Sequence, residues 1–159
     1  MSQQPFREGS VAREPKFTVR DQGESLNVLG DHQFVMLTGE DTEGRFTLIE
    51  NENPPGVGPP LHVHRNEDEA FYVLEGQVEF QVEGERTTAG PGTTVFLPRG
   101  SVHTWRVVGD EPARTLIMLM PAGLEAYFRE LSGLAGEGPP EMETILEISA
   151  RHGIEYPEP

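Results

Sequence analysis

Residues 56–76 read GVGPPLHVHRNEDEAFYVLEG. Two histidines stand two apart (His62 and His64), three acids follow (Glu67, Asp68 and Glu69), and a run of strand-forming residues ends at Gly76. On an extended segment, residues two apart project to the same side, so His62 and His64 share a face. By the same period Glu69, Phe71 and Val73 share one face, while Asp68 and Ala70 take the other. Isolated histidines are usually surface residues or satisfied core residues. Whether this pair does more depends on what the chain brings to it.

The preceding NENPPGVGPP (51–60) is too rich in proline and glycine for a regular element, and reads as a loop that delivers LHVH to a fixed place. Before it lie four strand-like runs, KFTV (16–19), SLNVL (25–29), HQFVMLT (32–38) and RFTLIE (45–50), separated by the turn residues DQG, GD and GEDTEG. After it, EAFYVL, QVEFQV and RTTA form a meander around glycine turns, with Val78, Phe80 and Val82 on one face. PGTTVFLPRGSVHTWRVV (91–108) gives a strand, a Pro-Gly turn and a second strand on which His103, Trp105 and Val107 share a face. ARTLIMLM (113–120) is a last, mostly buried strand.

Beyond Pro121 the period changes. Leu124, Tyr127, Phe128 and Leu131 fall at helical spacing, as do Met142, Ile145, Leu146, Ile148 and Ser149, with Pro140 near the second helix's start and Gly153 past its end. The reading is an all-β barrel over 16–121, a loose polar arm over 1–15 and a helical extension over 122–159, its two short helices packed outside the barrel.

Composition narrows the function. The 159 residues suit one domain, and 18 glycines with 14 prolines suit many turns. With 27 acids against 12 bases, the net charge of −15 repels phosphate backbones and anionic membranes, so nucleic acid and membrane surfaces are set aside as partners. The absence of cysteine removes disulfides, thiolate zinc sites and thiol nucleophiles. The first residues contain no apolar signal core, and the longest strongly apolar run, TLIMLM (115–120), is far short of the roughly 20 residues that span a bilayer. A soluble, cytoplasmic protein is expected.

His103 follows His64 by 39 residues, on a strand whose inner face it shares with Trp105. Three imidazoles and one carboxylate (His62, His64, His103 and Glu69) converging inside a barrel suit a divalent first-row metal. The chain resembles a cupin, a small double-stranded β-helix or jelly-roll barrel. Gly56, His62, His64, Glu69 and Gly76 stand at the spacing of the first cupin motif, and Gly92, Pro98, Gly100 and His103 at that of the second. The second motif's final asparagine is Val107 here. The single motif set and the helical tail look most like one-domain, quercetinase-like cupins.

That resemblance implies one metal per chain, which can be Fe, Ni, Mn, Cu, Co or Zn, held by His62, His64, Glu69 and His103. It implies dioxygen cleavage of a flavonol-like or enediol-like small molecule, with Glu69 as ligand and catalytic base, and a homodimer. Met36, Phe71, Phe80, Phe96 and Trp105 are candidates to line an aromatic substrate's pocket and are equally suited to barrel core. A cupin isomerase, epimerase or lyase using the metal as a Lewis acid, or a non-enzymatic metabolite-binding barrel, would need the same ligands.

Overall fold

Alternating apolar and polar residues bounded by glycine turns become strands wherever a second sheet covers their apolar face. The computed structural model describes residues 14–136 and 138–158; the proposed arm over 1–15 lies almost wholly outside them. In chain order the strands are β1 (Glu24–Val28), β2 (Asp31–Leu37), β3 (Thr47–Asn53), β4 (Val63–His64), β5 (Asp68–Glu75), β6 (Gln77–Val82), β7 (Glu85–Ala89), β8 (Thr94–Leu97), β9 (His103–Val108), β10 (Ala113–Met120) and β11 (Ile154–Glu155). The helices are α1 (Gly39–Thr42), α2 (Glu125–Ser132) and α3 (Met142–Arg151).

A six-stranded sheet, ordered β1-β2-β3-β10-β5-β8, faces a three-stranded sheet, ordered β7-β6-β9, in a jelly roll whose strands pair antiparallel throughout. The inner faces meet at Phe71 of β5, whose ring stands edge-on to Phe80 of β6 at 5.0 Å and lies 6.3 Å from Trp105 of β9. Ile49, Val73, Val78 and Leu119 complete a dry layer between the sheets, each contributing about 1.5–3 kcal/mol by leaving water. Glu69, Phe71 and Val73 point inward together, as do His103, Trp105 and Val107. No helix among the described residues is long and apolar enough to cross a membrane.

Several local expectations change. KFTV forms no strand: Phe17 and Val19 are exposed, no described residue covers them, and the chain passes into a 3-10 turn at Arg20–Gln22. GEDTEG holds a helical turn, α1, because Thr38 and Asp41 cap its amides reciprocally. Asn51–Asn53, read as loop, extend β3, where β10 pairs with them and the Asp31 carboxylate accepts from the Asn51 and Asn53 side-chain amides. On α3 the buried face is Ile145, Ile148 and Ser149, with Met142 and Leu146 turned to solvent.

The C-terminal elements do more than decorate the barrel. Helix α2 packs on β1, and β11 pairs with β4, the strand that carries His64. On its other side, the segment 56–62 is zipped to β9 through Gly56 N–H to Val107 O (2.8 Å), Val107 N–H to Val57 O (2.9 Å) and a two-way bridge between His62 and His103 (2.9 and 3.0 Å). This approach requires Gly58, where a Cβ would overlap the Trp105 carbonyl. Gly58→Ala should therefore lower stability by about 2 kcal/mol. An unchanged urea midpoint would show that the loop does not need this contact.

Candidate metal centre

Each ligand candidate is held by backbone before chemistry enters. His62 and His103 face each other across their bridge. The His62 Nδ1–H donates to Pro60 O (2.8 Å) and the His103 Nδ1–H donates to Ser101 O (3.0 Å), so both rings turn Nε2 inward. His64 is fixed by β11 on one side and by the Gly100 N–H to its carbonyl on the other (2.8 Å). Glu69 comes from β5, which is anchored one residue earlier by Asp68, whose carboxylate takes the Arg99 Nε and Nη2 donors at 3.1 Å each.

These four side chains are buried, and their ligand atoms lie within 4.8 Å of one another. His62 Nε2 and His64 Nε2 are 3.0 Å apart, and Glu69 Oε2 is 3.2 Å from His103 Nε2 and 3.5 Å from His64 Nε2. Two basic nitrogens facing each other at contact distance, beside an anionic oxygen, call for a shared cation. The cluster fits a metal site.

Electrostatics agree with that donor set. Burial, reinforced by the His64 and His103 charges, pushes the His62 imidazole down to about 4. Burial also opposes charge on His64, but the Glu69 and Glu67 carboxylates outweigh it and raise that ring. For Glu69, burial pushes the carboxyl up, and the surrounding imidazoles, His64 foremost, more than reverse it.

The acid run divides into three roles. Asp68 faces outward to Arg99, Glu69 faces the centre, and Glu67 is buried behind His64. Glu67 Oε2 stands 3.8 Å from His64 Nδ1, and neither atom has another hydrogen-bond partner among the described residues. A carboxylate behind a ligating imidazole orients the ring and raises its basicity. The sequence reading missed Glu67; its position three residues after His64 was the available signal.

A cavity of about 340 Å³ opens onto His62, His64 and Glu69. Of the side chains considered for a pocket, Trp105 lines it. Phe71 and Phe80 are spent on the contact between sheets, Met36 is half-buried beside Gly23, and Phe96 is 58% exposed because its neighbour Leu97 takes the inner face of β8. The other walls include Tyr127, Phe128 and Leu131 of α2, and Asp31 and Gln33 of β2. These come from segments remote from LHVH in sequence, and periodicity alone does not place them there.

Comparison with known proteins agrees with the fold. The cupin-domain family matches residues 50–119. The chain is 29% identical over 115 residues to quercetin 2,3-dioxygenase of Bacillus subtilis, covering 71% of this chain and 34% of that one. It is 27% identical over 125 residues to 5-nitrosalicylic acid 1,2-dioxygenase of a Bradyrhizobium species, covering 71% and 58%. It thus spans about a third and somewhat over half of these relatives. Among solved structures, KdgF from a Halomonas species superposes with a TM-score of 0.61 at 18% identity, over 70% of this chain and 99% of that one, a likeness of fold.

Elemental analysis of purified protein should find about one transition metal per chain, lost in His62→Ala and His103→Ala. Glu67→Gln should keep the site but weaken metal binding by about tenfold or more, and unchanged affinity would show that Glu67 does not support His64. In metal-free protein, the unfolded chain takes a proton at His62 near its ordinary value of 6.5, whereas the folded chain refuses it until about 4. His62 therefore removes stability as pH falls through that window. Urea midpoints should show the loss, with a shallower slope in His62→Asn; equal slopes would exclude His62 as a contributor.

Proposed function

We propose that this cupin barrel is a metal-dependent dioxygenase acting on a planar enol or phenol of flavonol size. The observation that carries the reading is a buried three-imidazole, one-carboxylate cluster at the wall of a largely apolar cavity of about 340 Å³. The dioxygenase names of the two relatives support it.

His62, His64 and His103 through Nε2, with Glu69 through Oε2, would hold the ion. When bound, a divalent first-row ion would supply Lewis acidity toward an enol oxygen, and a redox-active one such as Fe, Mn, Ni, Co or Cu would also supply a redox partner for dioxygen. The protein's own part is positioning and proton transfer. Trp105 and Phe128 offer flat faces to a ring system, while Val57, Ile117 and Leu131 add apolar wall that limits water in the cavity. Confinement there makes a two-substrate encounter effectively intramolecular. The Glu69 carboxylate takes the substrate's hydroxyl proton at Oε1, leaving Oε2 toward His64 and His103. The burial of this carboxylate lets it act as a base without competition from bulk water.

Metal-loaded protein should consume dioxygen on addition of quercetin, as followed with an oxygen electrode. Glu69→Gln should reduce that rate by about a hundredfold or more and also weaken metal retention. Rearranged product without oxygen uptake would replace the oxygenase reading with Lewis-acid isomerisation or lysis. Wild-type turnover in Glu69→Gln would remove Glu69 from the mechanism.

A further inference from the structure

A second polar centre lines the same cavity. Gln33 and Asp31 of β2 belong to its wall, and Gln33 is only 2% exposed. Three amides converge on Asp31: Gln33 Nε2 donates to Oδ2 at 2.7 Å, and Asn53 Nδ2 and Asn51 Nδ2 donate to Oδ1 at 2.6 and 3.3 Å. Because each amide gives its N–H to this carboxylate, its carbonyl oxygen must look elsewhere. Asn53 Oδ1 accepts the His32 N–H at 2.9 Å, and Asn51 Oδ1 accepts the Thr115 hydroxyl. Gln33 Oε1 alone of the three is buried with no partner among the described residues. A buried, unmatched acceptor costs about as much as a lost hydrogen bond unless something supplies a donor.

The ladder register gives the offset from Glu69 along the strands. Glu69 pairs with Leu119 of β10, whereas Gln33 pairs with Asn51 and, through it, aligns with Thr115. Four residues along β10 is an offset of about 13 Å in the strand direction, and the curl of the sheet brings β2 and β5 to the walls of one cavity. Ile117, the inward residue between those rows, lines the cavity between the two polar ends. The cavity therefore has metal donors at one end, an apolar waist, and an unpaired acceptor at the other.

We propose that Gln33 Oε1, oriented by Asp31, is a specificity anchor that accepts a hydroxyl hydrogen from the distal end of a ligand whose opposite end reaches the metal centre. Asp31 is a positioning residue, acting through the amide it orients. The ligand class is an elongated polyhydroxylated aromatic rather than one bearing oxygen at a single end. This rests on the cavity being the substrate site of the proposed dioxygenase, so binding and turnover are measured separately.

Trp105, the chain's one tryptophan, lines the cavity, so quenching of its fluorescence reports binding directly. The probes are quercetin, with hydroxyls on its distal rings, and 3-hydroxyflavone, which keeps the oxygens for the metal and lacks the others. Metal-loaded wild type should bind quercetin the more tightly. Gln33→Leu should weaken quercetin about tenfold and leave 3-hydroxyflavone within about twofold. The isosteric Asp31→Asn turns an N–H toward Gln33, so the glutamine amide flips and offers Nε2–H to a phenolic oxygen, which accepts more weakly than the phenol O–H donates, and quercetin is again weakened selectively. This variant carries the test if Gln33→Leu fails to fold. Equal losses for both probes, no loss in either variant, or no preference in wild type would overturn the anchor. Selective loss without oxygen uptake would support the anchor and remove the oxygenase reading.

Discussion

The two-way backbone bridge between His62 and His103 is the constraint on which the site depends. It joins a proline-rich loop to a strand 41 positions later, and the ordered loop contacts on either side make it rigid. Bringing two imidazoles to contact is opposed by chain entropy and by desolvation of both rings. Here the backbone meets that cost through hydrogen bonds that exist whether or not a cation is present. The inward nitrogens are then selected by the outward ones, each committed to a carbonyl two residues earlier in its own chain segment. Metal affinity in such a centre comes from preorganisation as much as from ligand type.

Charge explains why this preorganisation is directed at a cation. The chain carries 27 acids and 12 bases, and two of those acids, Glu67 and Glu69, are buried beside three buried imidazoles. Carboxylates removed from water are strongly unfavourable unless paired. His64 offsets part of that cost by leaning toward protonation, as its raised value and the lowered Glu69 show, while the burial of His62 resists it. One divalent ion would satisfy the carboxylate and the facing nitrogens together. The outward carboxylate between them, Asp68, is paired with Arg99 instead and ties β5 to the turn before His103.

The far side of the cavity is built by parts that look peripheral in the chain. Tyr127 of α2 shares a hydroxyl cluster with Ser149 of α3 and Tyr156 just past β11, and both tyrosines line the cavity. The same tail holds β4 through two ladder positions. Closing the cavity and steadying His64 are thus one structural event. The C-terminal segment transmits packing from the helices to a candidate metal ligand, with Gly153 at φ +74 making the turn between α3 and β11.

By itself the sequence determined a strand-rich barrel, which is written in local periods, and the cupin resemblance of its motif spacings implied the jelly roll and the ligand set. Residues two apart share a strand face, glycines mark hairpins, and His62, His64, Glu69 and His103 stand at spacings that such a barrel turns inward. What it left to the tertiary structure were contacts without a local period. The burial of Glu67 behind His64, the docking of β11 on β4, and the convergence of three amides on Asp31 depend on which strands become neighbours. The pocket walls followed the same rule. Phe96 and Phe71 are both aromatic strand residues, yet one faces solvent and the other the opposite sheet, because strand parity within the folded barrel, rather than side-chain type, decides what a cavity sees.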